Sequence, residues 1–227
     1  HPQQTHAANA TGFLNMLVAA RDAGVERFVY ASSSSVYGDL AESPKVESRI
    51  GKALSPYAVS KYTNELYAGV FALNYNMKVI GLRYFNVFGP RQDPNGPYAA
   101  AIPLFMDALL NGKDAWLNGD GEQTRDFTFV ENAVQANIRA FFTPHPEAFN
   151  RVYNVAVGEN ISVKKLFHML AEISGKDASP KHRAERPGDI KNSLADISLA
   201  RTYLGYEPEV KLKQGLAITF DWFKNNF

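Results

Sequence analysis

The sequence predicts an α/β fold with a mostly parallel sheet, joined to a smaller α/β lobe. Helical and apolar extended segments alternate over the first ~85 residues, which is the order that builds parallel strands with right-handed crossovers. The apolar segments at 27–31 and 78–85 each end in polar residues, where open parallel sheets bind their ligands. After Gln92 the segments become shorter and rich in turns, so the second lobe is expected to begin there.

The first helix is predicted at residues 5–23. Apolar side chains recur at helical spacing between Phe13 and Val18, and Gly24 is a typical residue to end a helix. The apolar run at 27–31 follows at once. Its length and the flanking stops favour a parallel strand that is covered on both faces.

The second helix is predicted to begin at Ser55-Pro56, because a serine cap followed by proline is typical of a helix start. It is expected to continue to about residue 76. The second strand is predicted at 78–85 and ends at Asn86. The apolar residues that continue the helical pattern are Leu66, Val70 and Leu73.

The second lobe is predicted to contain short strands and several helices. The dipeptides Asn118-Gly119 and Asp120-Gly121 indicate a hairpin turn between two of the strands, and a phosphate-binding loop is disfavoured because a third glycine and a helix start are lacking. The predicted strands are 115–117, 126–129 and 152–157, and the predicted helices are 102–110, 130–142, 163–174, 198–204 and 212–227.

The composition excludes several classes of function. Lysine and arginine number 24 against 23 acidic residues, so no overall field attracts nucleic acid or an anionic membrane. There is no cysteine, and the five histidines lack ligand spacing, so we expect no disulfide and no metal site. No apolar run approaches the ~20 residues of a membrane span. We therefore expect a cytoplasmic protein without a nucleic-acid or membrane partner.

Four consecutive serines lie at the end of the first predicted strand, in the segment ASSSSVYG at residues 31–38. On the next predicted helix, Tyr57 and Lys61 are four residues apart and share a face. A lysine ammonium favours the phenolate form of a nearby tyrosine, which makes such a pair a candidate general acid or base. The spacing by itself does not exclude a surface tyrosine beside a solvated lysine.

A set of motifs runs in order from the first helix nearly to the end of the chain. The motifs are NATG at 9–12, RFVYASSSSVYG at 27–38, SPYAVSK at 55–61, LRYFNVFGPRQDPNGPYAA at 82–100, NGDGEQTRDFTFV at 118–130, YNVAVG at 153–158 and RPGDIKNSLADI at 186–197. Together they resemble the extended short-chain dehydrogenase/reductase family, in particular its nucleotide-sugar epimerases. The fold that this resemblance implies is the C-terminal part of a doubly wound (Rossmann) parallel sheet plus a smaller α/β substrate-binding lobe.

The resemblance implies a catalytic set and a cofactor. In that family a tyrosine moves the proton of a sugar hydroxyl while NAD exchanges a hydride with the carbon that bears it. Tyr57 would be the acid/base, Lys61 its electrostatic partner, and Ser33 the hydrogen-bonding serine. The residues expected to contact NAD are Asn9, Ser32, Tyr57, Lys61 and Tyr84.

The resemblance also implies a UDP-sugar substrate. The family binds the nucleotide diphosphate through arginines and the ribose through an aspartate, and at the position of Ser193 a bulky aromatic residue excludes an N-acetyl group from the sugar pocket. A small residue there admits the group. The residues expected to contact the substrate are Ser33, Ser34, Asn86, Gln92, Ala100, Ala115, Leu117, Arg125, Arg186, Asp189 and Ser193.

The resulting hypothesis is NAD-dependent 4-epimerisation of a UDP-N-acetylhexosamine (UDP-GlcNAc/UDP-GalNAc) through a 4-keto intermediate. The alternatives are a UDP-glucose/galactose 4-epimerase, a nucleotide-sugar dehydratase of the same family, a binding protein on this fold, or a catalytically incompetent fragment. Dehydratases of the family carry an acidic residue between the catalytic serine or threonine and VYG, where this chain has Ser34 and Ser35. The missing carboxylate favours an epimerase.

The family's glycine-rich dinucleotide loop is not found, since neither G-x-x-G-x-x-G nor G-x-G-x-x-G occurs. Residues 1–92 are therefore expected to be the C-terminal half of an NAD-binding domain that lacks about 100 upstream residues. Residues 93–227 are expected to form the nucleotide-sugar lobe, interleaved with that domain. The chain alone is expected to bind NAD poorly or not at all. The resemblance also implies that the full-length protein is a homodimer, since the family commonly dimerises through helices that include the one with Tyr57.

Overall fold

The structure is a computed structural model of the chain, and it describes residues 1–95, 100–185 and 190–226. The helices are α1 (Pro2–His6), a π-helix (Ala7–Thr11), α2 (Gly12–Asp22), α3 (Pro56–Tyr75), α4 (Ala101–Asn111), α5 (Val130–Phe142), α6 (Val163–Ser174), α7 (Ser198–Leu204) and α8 (Leu212–Asn226), with 3-10 turns at Ser34–Tyr37 and Pro146–Ala148. The strands are β1 (Arg27–Ser33), β2 (Lys78–Tyr84), β3 (Val87–Phe88), β4 (Trp116–Asn118), β5 (Thr124–Arg125), β6 (Thr128–Phe129), β7 (Arg151–Val155), β8 (Ile161–Ser162) and β9 (Lys181–Arg183).

A three-stranded parallel sheet in the order β1-β2-β7 organises the first half of the chain. In the register, Ala31 pairs with Leu82, and Leu82 pairs with Tyr153. The third strand, β7, comes from the second half of the sequence. The predicted α/β fold with a parallel sheet is confirmed.

Both faces of this sheet are covered. Successive side chains of a strand point to opposite faces, and Val79 and Ile80 of β2 belong to different apolar clusters. Val79 packs with Leu17 of α2 and Phe71 of α3, whereas Ile80 packs with the α5 alanines. This burial on both sides explains why both strands were recognisable as continuous apolar runs.

The second lobe has its own apolar core between α4, α6 and α8. Phe105 of α4 lies edge-on to Phe167 of α6, with their ring centroids 5.3 Å apart, and Leu216 and Phe223 of α8 complete the cluster. Ser162 caps α6 by accepting a hydrogen bond from the Lys165 backbone N–H at 3.2 Å. The strands of this lobe are short and pair two by two.

The predicted hairpin at 118–121 is wrong. β4 pairs in parallel with β9, whereas β5 pairs antiparallel with β8, so the two strands that flank the turn join different sheets. All three residues of β9 are polar and exposed, so this strand carries no apolar pattern by which the sequence could predict it. The predicted strand at 126–129 is interrupted, because the carboxylate of buried Asp126 binds backbone N–H groups of other segments.

The helix predicted from Ser55 is confirmed, but its apolar pattern has a different meaning. Leu66, Val70 and Leu73 lie on the outer face of α3, and the side chain of Leu73 is 83% exposed. Ala58 and Ala68 face inwards instead, so small residues allow the helix to approach the sheet closely.

Candidate active site

A cavity of about 500 Å³ lies at the carboxyl ends of β1 and β2. It brings together the predicted catalytic residues Ser33, Tyr57 and Lys61, with Tyr84 from the end of β2. We call it the catalytic cavity. Residues from β1, α3, β2 and α5 line it, so its walls are built mainly on regular elements.

Ser33 is placed by the end of β1. The strand stops there, and the Ser33 Oγ accepts a hydrogen bond at 3.1 Å from the Ser35 backbone N–H, which starts the 3-10 turn. Ser34 lies in that turn. The serine run is therefore the junction of a strand and a turn at the cavity.

Tyr57 and Lys61 are placed by the start of α3. The Ser55 Oγ accepts a hydrogen bond from the Ala58 N–H at 3.1 Å and fixes the first helical turn. The Lys61 Nζ lies 5.7 Å from the Tyr57 ring centroid and donates to the carbonyl oxygen of Ala31 at 3.0 Å. Burial lowers the pKa of the Lys61 ammonium.

The other residues predicted to contact NAD have partners within the chain. Asn9 lies in the π-helix, and its Nδ2 donates to the Ser60 Oγ at 3.2 Å. The Tyr84 hydroxyl donates to the Asn137 Oδ1 at 3.0 Å, and burial raises the pKa of this phenol. The hydroxyl of Ser32 donates its proton to a side chain of α3, so towards a cofactor this oxygen would act only as an acceptor.

A second cavity of about 520 Å³ adjoins the first, since Val87 lines both. We call it the substrate-lobe cavity. Of the predicted substrate residues, it contains Asn86, Ala100, Ala115 and Arg125. The Arg125 guanidinium is anchored by a hydrogen bond at 2.6 Å from its Nη1 to the backbone oxygen of Ile190 and another at 2.7 Å to that of Thr124.

Buried Asp126, next to Arg125 in the chain, binds the backbone of two distant segments. Its carboxylate accepts hydrogen bonds from the backbone N–H groups of Val157, Gly158 and Ala195 at 3.0, 3.1 and 3.3 Å. The Asn86 Nδ2 donates to the Asp126 backbone oxygen at 3.1 Å. Burial raises the pKa of the Asp126 carboxyl to about 6, although the three N–H donors favour its charged form.

Several predicted substrate residues lie elsewhere or outside the described residues. The side chain of Leu117 is buried in the lobe core, because strand alternation in β4 turns it away from the cavity that Trp116 and Asn118 line. Ser193 is buried, and its N–H donates to the Thr124 oxygen. Arg186 and Asp189 fall outside the described residues.

Gln92 has an unusual environment. Its Nε2 lies 3.5 Å from the backbone oxygen of Val87. Its Oε1 is buried, and among the described residues it has no hydrogen-bond partner. A buried acceptor that no protein group satisfies is the kind of atom that a bound ligand can satisfy.

Part of the substrate-lobe cavity is lined by residues that the sequence did not single out. Arg183 is the most informative omission, because its Nε donates to the Asn118 Oδ1 at 2.6 Å across the β9–β4 pair. An exposed Lys-His-Arg strand carries no pattern that separates it from a loop. The other missed lining residues that carry polar groups are Asp107, Lys113, Asp114, Trp116, Asn118 and Gln123.

The described residues also bear on the expectations about metals and membranes. Within 1–95, 100–185 and 190–226, no group of three or more histidine, aspartate or glutamate side chains is arranged to hold a metal ion. Across the same described ranges, every helix is too short or too polar to span a membrane.

Comparison with known proteins agrees with this geometry. The model of the NAD dependent epimerase/dehydratase family matches residues 1–156. The UDP-glucose 4-epimerase of Mycolicibacterium smegmatis is 36% identical over 218 residues, which cover 96% of this chain and 68% of that protein.

Two solved structures show the same fold. The UDP-N-acetylglucosamine 4-epimerase from Methanobrevibacter ruminantium M1, in complex with UDP-N-acetylmuramic acid, superposes with a TM-score of 0.95 at 39% identity, over 100% of this chain and 72% of that one. The UDP-glucose 4-epimerase from Thermotoga maritima, with UDP-glucose, has a TM-score of 0.94 at 36% identity, over 99% of this chain and 72% of that one. The predicted Rossmann relationship is thereby confirmed. The family match and these likenesses place the chain in the NAD dependent epimerase/dehydratase family of enzymes.

Proposed function

We propose that the chain carries the catalytic residues and the substrate lobe of a UDP-N-acetylhexosamine 4-epimerase, with residues 1–92 and 93–227 as its two parts. One observation carries this proposal. The cavity that holds Ser33, Tyr57 and Lys61 adjoins a second cavity that holds Arg125, and Val87 is common to both. The arrangement suits a sugar at the first cavity and its nucleotide diphosphate at the second.

The catalytic cavity fits the nicotinamide-ribose end of NAD. Its lining includes the polar groups of Tyr57, Lys61 and Tyr84, which suit ribose hydroxyls, and the apolar side chains of Val130 and Ala133, which suit a ring. Bound NAD would supply reversible hydride transfer, accepting the hydride of the sugar carbon and giving it back to that carbon on its opposite face. No glycine-rich loop for the pyrophosphate occurs in this sequence.

Residues of the chain itself would transfer the proton of the sugar hydroxyl. Tyr57 would take the proton from the sugar 4-hydroxyl and later return it, and Lys61 would stabilise the tyrosine anion. Ser33 would hydrogen-bond the same sugar oxygen and hold it towards Tyr57. Since these groups lie on regular elements, their geometry does not depend on a mobile loop.

The N-acetylated substrate is supported by two features. Ser193 is small at the position where the family uses a bulky residue to exclude an acetyl group. Gln92 lines neither cavity, but its buried Oε1 lacks a hydrogen-bond donor within the described part of the chain, and the amide N–H of an acetamido group that reached it would supply one. The relatives named above act on different sugars by their names, UDP-glucose and UDP-N-acetylglucosamine.

A dehydratase is the second candidate within the family. Dehydratases of the family carry a carboxylate next to the catalytic serine or threonine that assists elimination, whereas this chain has Ser34 and Ser35 in the 3-10 turn. The neutral turn therefore supports epimerisation.

The substrate is tested by supplying NAD to the full-length protein and separating the UDP-sugars after incubation. We expect interconversion of UDP-GlcNAc and UDP-GalNAc, and we expect Ser193→Tyr to remove this activity while it spares UDP-galactose. Turnover of UDP-galactose alone by the unmodified protein would contradict the acetylated substrate. A 4,6-dehydrated product would identify the second candidate.

The exposed face of α3 supports a homodimer. The outer surface carries large apolar side chains, which monomeric surfaces seldom gather on one helix. They include Val59, Tyr62, Leu66, Val70 and Leu73. Leu73→Lys should shift the full-length protein towards a monomer in analytical ultracentrifugation, and an unchanged sedimentation coefficient would contradict this interface. A cytoplasmic location stays a prediction.

A further inference from the structure

A buried ion pair lies beside the catalytic cavity. The Arg83 Nη2 is 2.7 Å from the Glu65 Oε2, and the Arg83 Nε donates to the Glu65 Oε1 at 2.9 Å. The two side chains are only 4% and 7% exposed. Burial disfavours the charged guanidinium, but the hydrogen bonds and the charge of Glu65 outweigh it and raise the pKa of Arg83.

This pair connects four parts of the structure. Ser32 of β1 donates from its Oγ to the Glu65 Oε1 of α3 at 2.5 Å, and Ser32 is the register partner of Arg83 on β2. The Arg83 Nη1 donates to the backbone oxygen of Glu47 at 3.0 Å, and the guanidinium lies 4.9 Å from the ring centroid of Tyr37. The loop between β1 and α3 is therefore held together with both strands and the helix.

The same helix meets successive residues at the end of β1. Tyr57, Lys61 and Glu65 are each four residues apart on α3. The Lys61 Nζ binds the Ala31 oxygen, Glu65 binds the hydroxyl of the next serine, and Ser33 then enters the cavity beside Tyr57. The distance between Tyr57 and Ser33 thus depends on how α3 is aligned along β1.

Apolar contacts alone would not fix the position of α3 along β1. The side chains that α3 buries against the sheet include the small residues Ala58 and Ala68, and apolar burial has no preferred direction. Charge-assisted hydrogen bonds are directional and short. A buried ion pair contributes little to net stability when compared with an apolar replacement, and specifying one geometry is its best-supported role.

We propose that Glu65, held by Arg83, is a positioning residue that sets the distance between the Tyr57 phenol and the Ser33 hydroxyl. The proposal rests on the epimerase function proposed above. Glu65 and Arg83 do not line the catalytic cavity, so they act through Ser32 and the helix.

The kinetic test uses Ser32→Ala in the full-length protein, because this change removes the bond to α3 and leaves the ion pair intact. We expect kcat for epimerisation to fall about tenfold or more, as a small misplacement of reacting groups does, with the KM for UDP-sugar and the Kd for NAD each changed less than about twofold. Ser32→Thr keeps the hydroxyl and should restore most of kcat.

The matched control is Thr219→Val, which removes another buried hydroxyl, one that bonds to Gly215 within α8. It should lower Tm by a similar amount and leave kcat unchanged. If Thr219→Val lost as much kcat as Ser32→Ala, the effect of Ser32→Ala would come from lost stability alone. A weakened Kd for NAD in Ser32→Ala with kcat preserved would make Ser32 a cofactor contact. Either result overturns the proposal.

A second arm needs no catalysis and separates this proposal from the function itself. In the full-length protein labelled with ¹⁵N-tyrosine and ¹⁵N-lysine, Ser32→Ala and Glu65→Asp should both shift the amide signals of Tyr57 and Lys61, because both changes realign α3. Absence of epimerisation in the unmodified protein would overturn the proposed function alone. Unmoved Tyr57 and Lys61 signals in both variants would overturn the positioning role.

Discussion

The two adjoining cavities are built in different ways. The catalytic cavity stands on β1, β2, α3 and α5, and directional bonds such as Lys61 to the Ala31 oxygen hold its walls together. The substrate-lobe cavity is lined by residues of α4 together with two-residue and three-residue strands and loop positions such as Gln123 and Asn86, so more of its wall lies outside long regular elements. Catalytic groups require fixed distances, whereas a nucleotide is held by many separate contacts, so the first cavity tolerates less displacement than the second.

The largest expected difference concerns ion pairs. Glu65→Ala would leave Arg83 buried without its partner, and we expect it to lower the free energy of unfolding by about 3–5 kcal/mol. Glu172→Ala removes the exposed pair with Lys213, whose side chains are 68% and 67% exposed, and should cost less than about 1 kcal/mol. Urea denaturation of both variants checks this. If both variants lost the same free energy of unfolding, the elements around the catalytic cavity would be held no more rigidly than those of the substrate lobe.

The next largest expected effect is a pH dependence of the free energy of unfolding, which arises from Asp126 in the substrate lobe. The ordinary pKa of 3.8 for Asp126 is raised by burial to about 6 in the folded chain, so between these values the folded state binds more protons than the unfolded state. The free energy of unfolding should therefore fall as pH rises through this window, by about 2–3 kcal/mol from this group.

This pH effect is measured as a difference between the unmodified protein and Asp126→Asn. Denaturation from pH 4 to pH 7 should show the unmodified protein losing stability relative to the variant as pH rises, because only the carboxyl titrates. A difference in the free energy of unfolding between the two proteins that stays constant with pH, or that changes in the opposite direction, would contradict the raised pKa of Asp126.

The smallest expected effect compares two helix caps. Ser55→Ala removes the cap of α3, and Ser162→Ala removes the cap of α6. Each should cost about 1 kcal/mol in the free energy of unfolding. Only Ser55→Ala is expected to lower kcat, because the first turn of α3 carries Tyr57. Equal losses of kcat would show that the substrate lobe needs the same precision.

The catalytic cavity was predictable because its signals are local. A serine run ends an apolar strand, a serine-proline pair begins a helix, and the spacing from Tyr57 to Lys61 places both on one face. Their roles as catalytic and binding residues came from the family resemblance and stay predictions. The helix bounds at Val130–Phe142, Val163–Ser174 and Ser198–Leu204 were also predicted correctly from periodicity.

The remaining features depend on contacts between distant segments. Glu65 and Arg83 look like surface charges in the sequence, and only the packing of α3 on β2 buries them. Arg183 enters the second cavity because β9 pairs with β4, which lies more than sixty residues upstream. The apolar spacing that includes Leu73 predicts a buried helix face, and only the positions of the neighbouring helices show that this face is exposed.

The most direct test of the account measures kcat and KM for one variant in each cavity of the full-length protein. Tyr57→Phe should lower kcat by about 10²–10⁴-fold with little change in the KM for UDP-GlcNAc, since it removes the acid/base group. Arg125→Gln should raise KM by about tenfold or more, since it removes a charged donor, and should change kcat less. A Tyr57→Phe protein that keeps its kcat, or an Arg125→Gln protein that keeps its KM, would contradict the division of one active site between these two cavities.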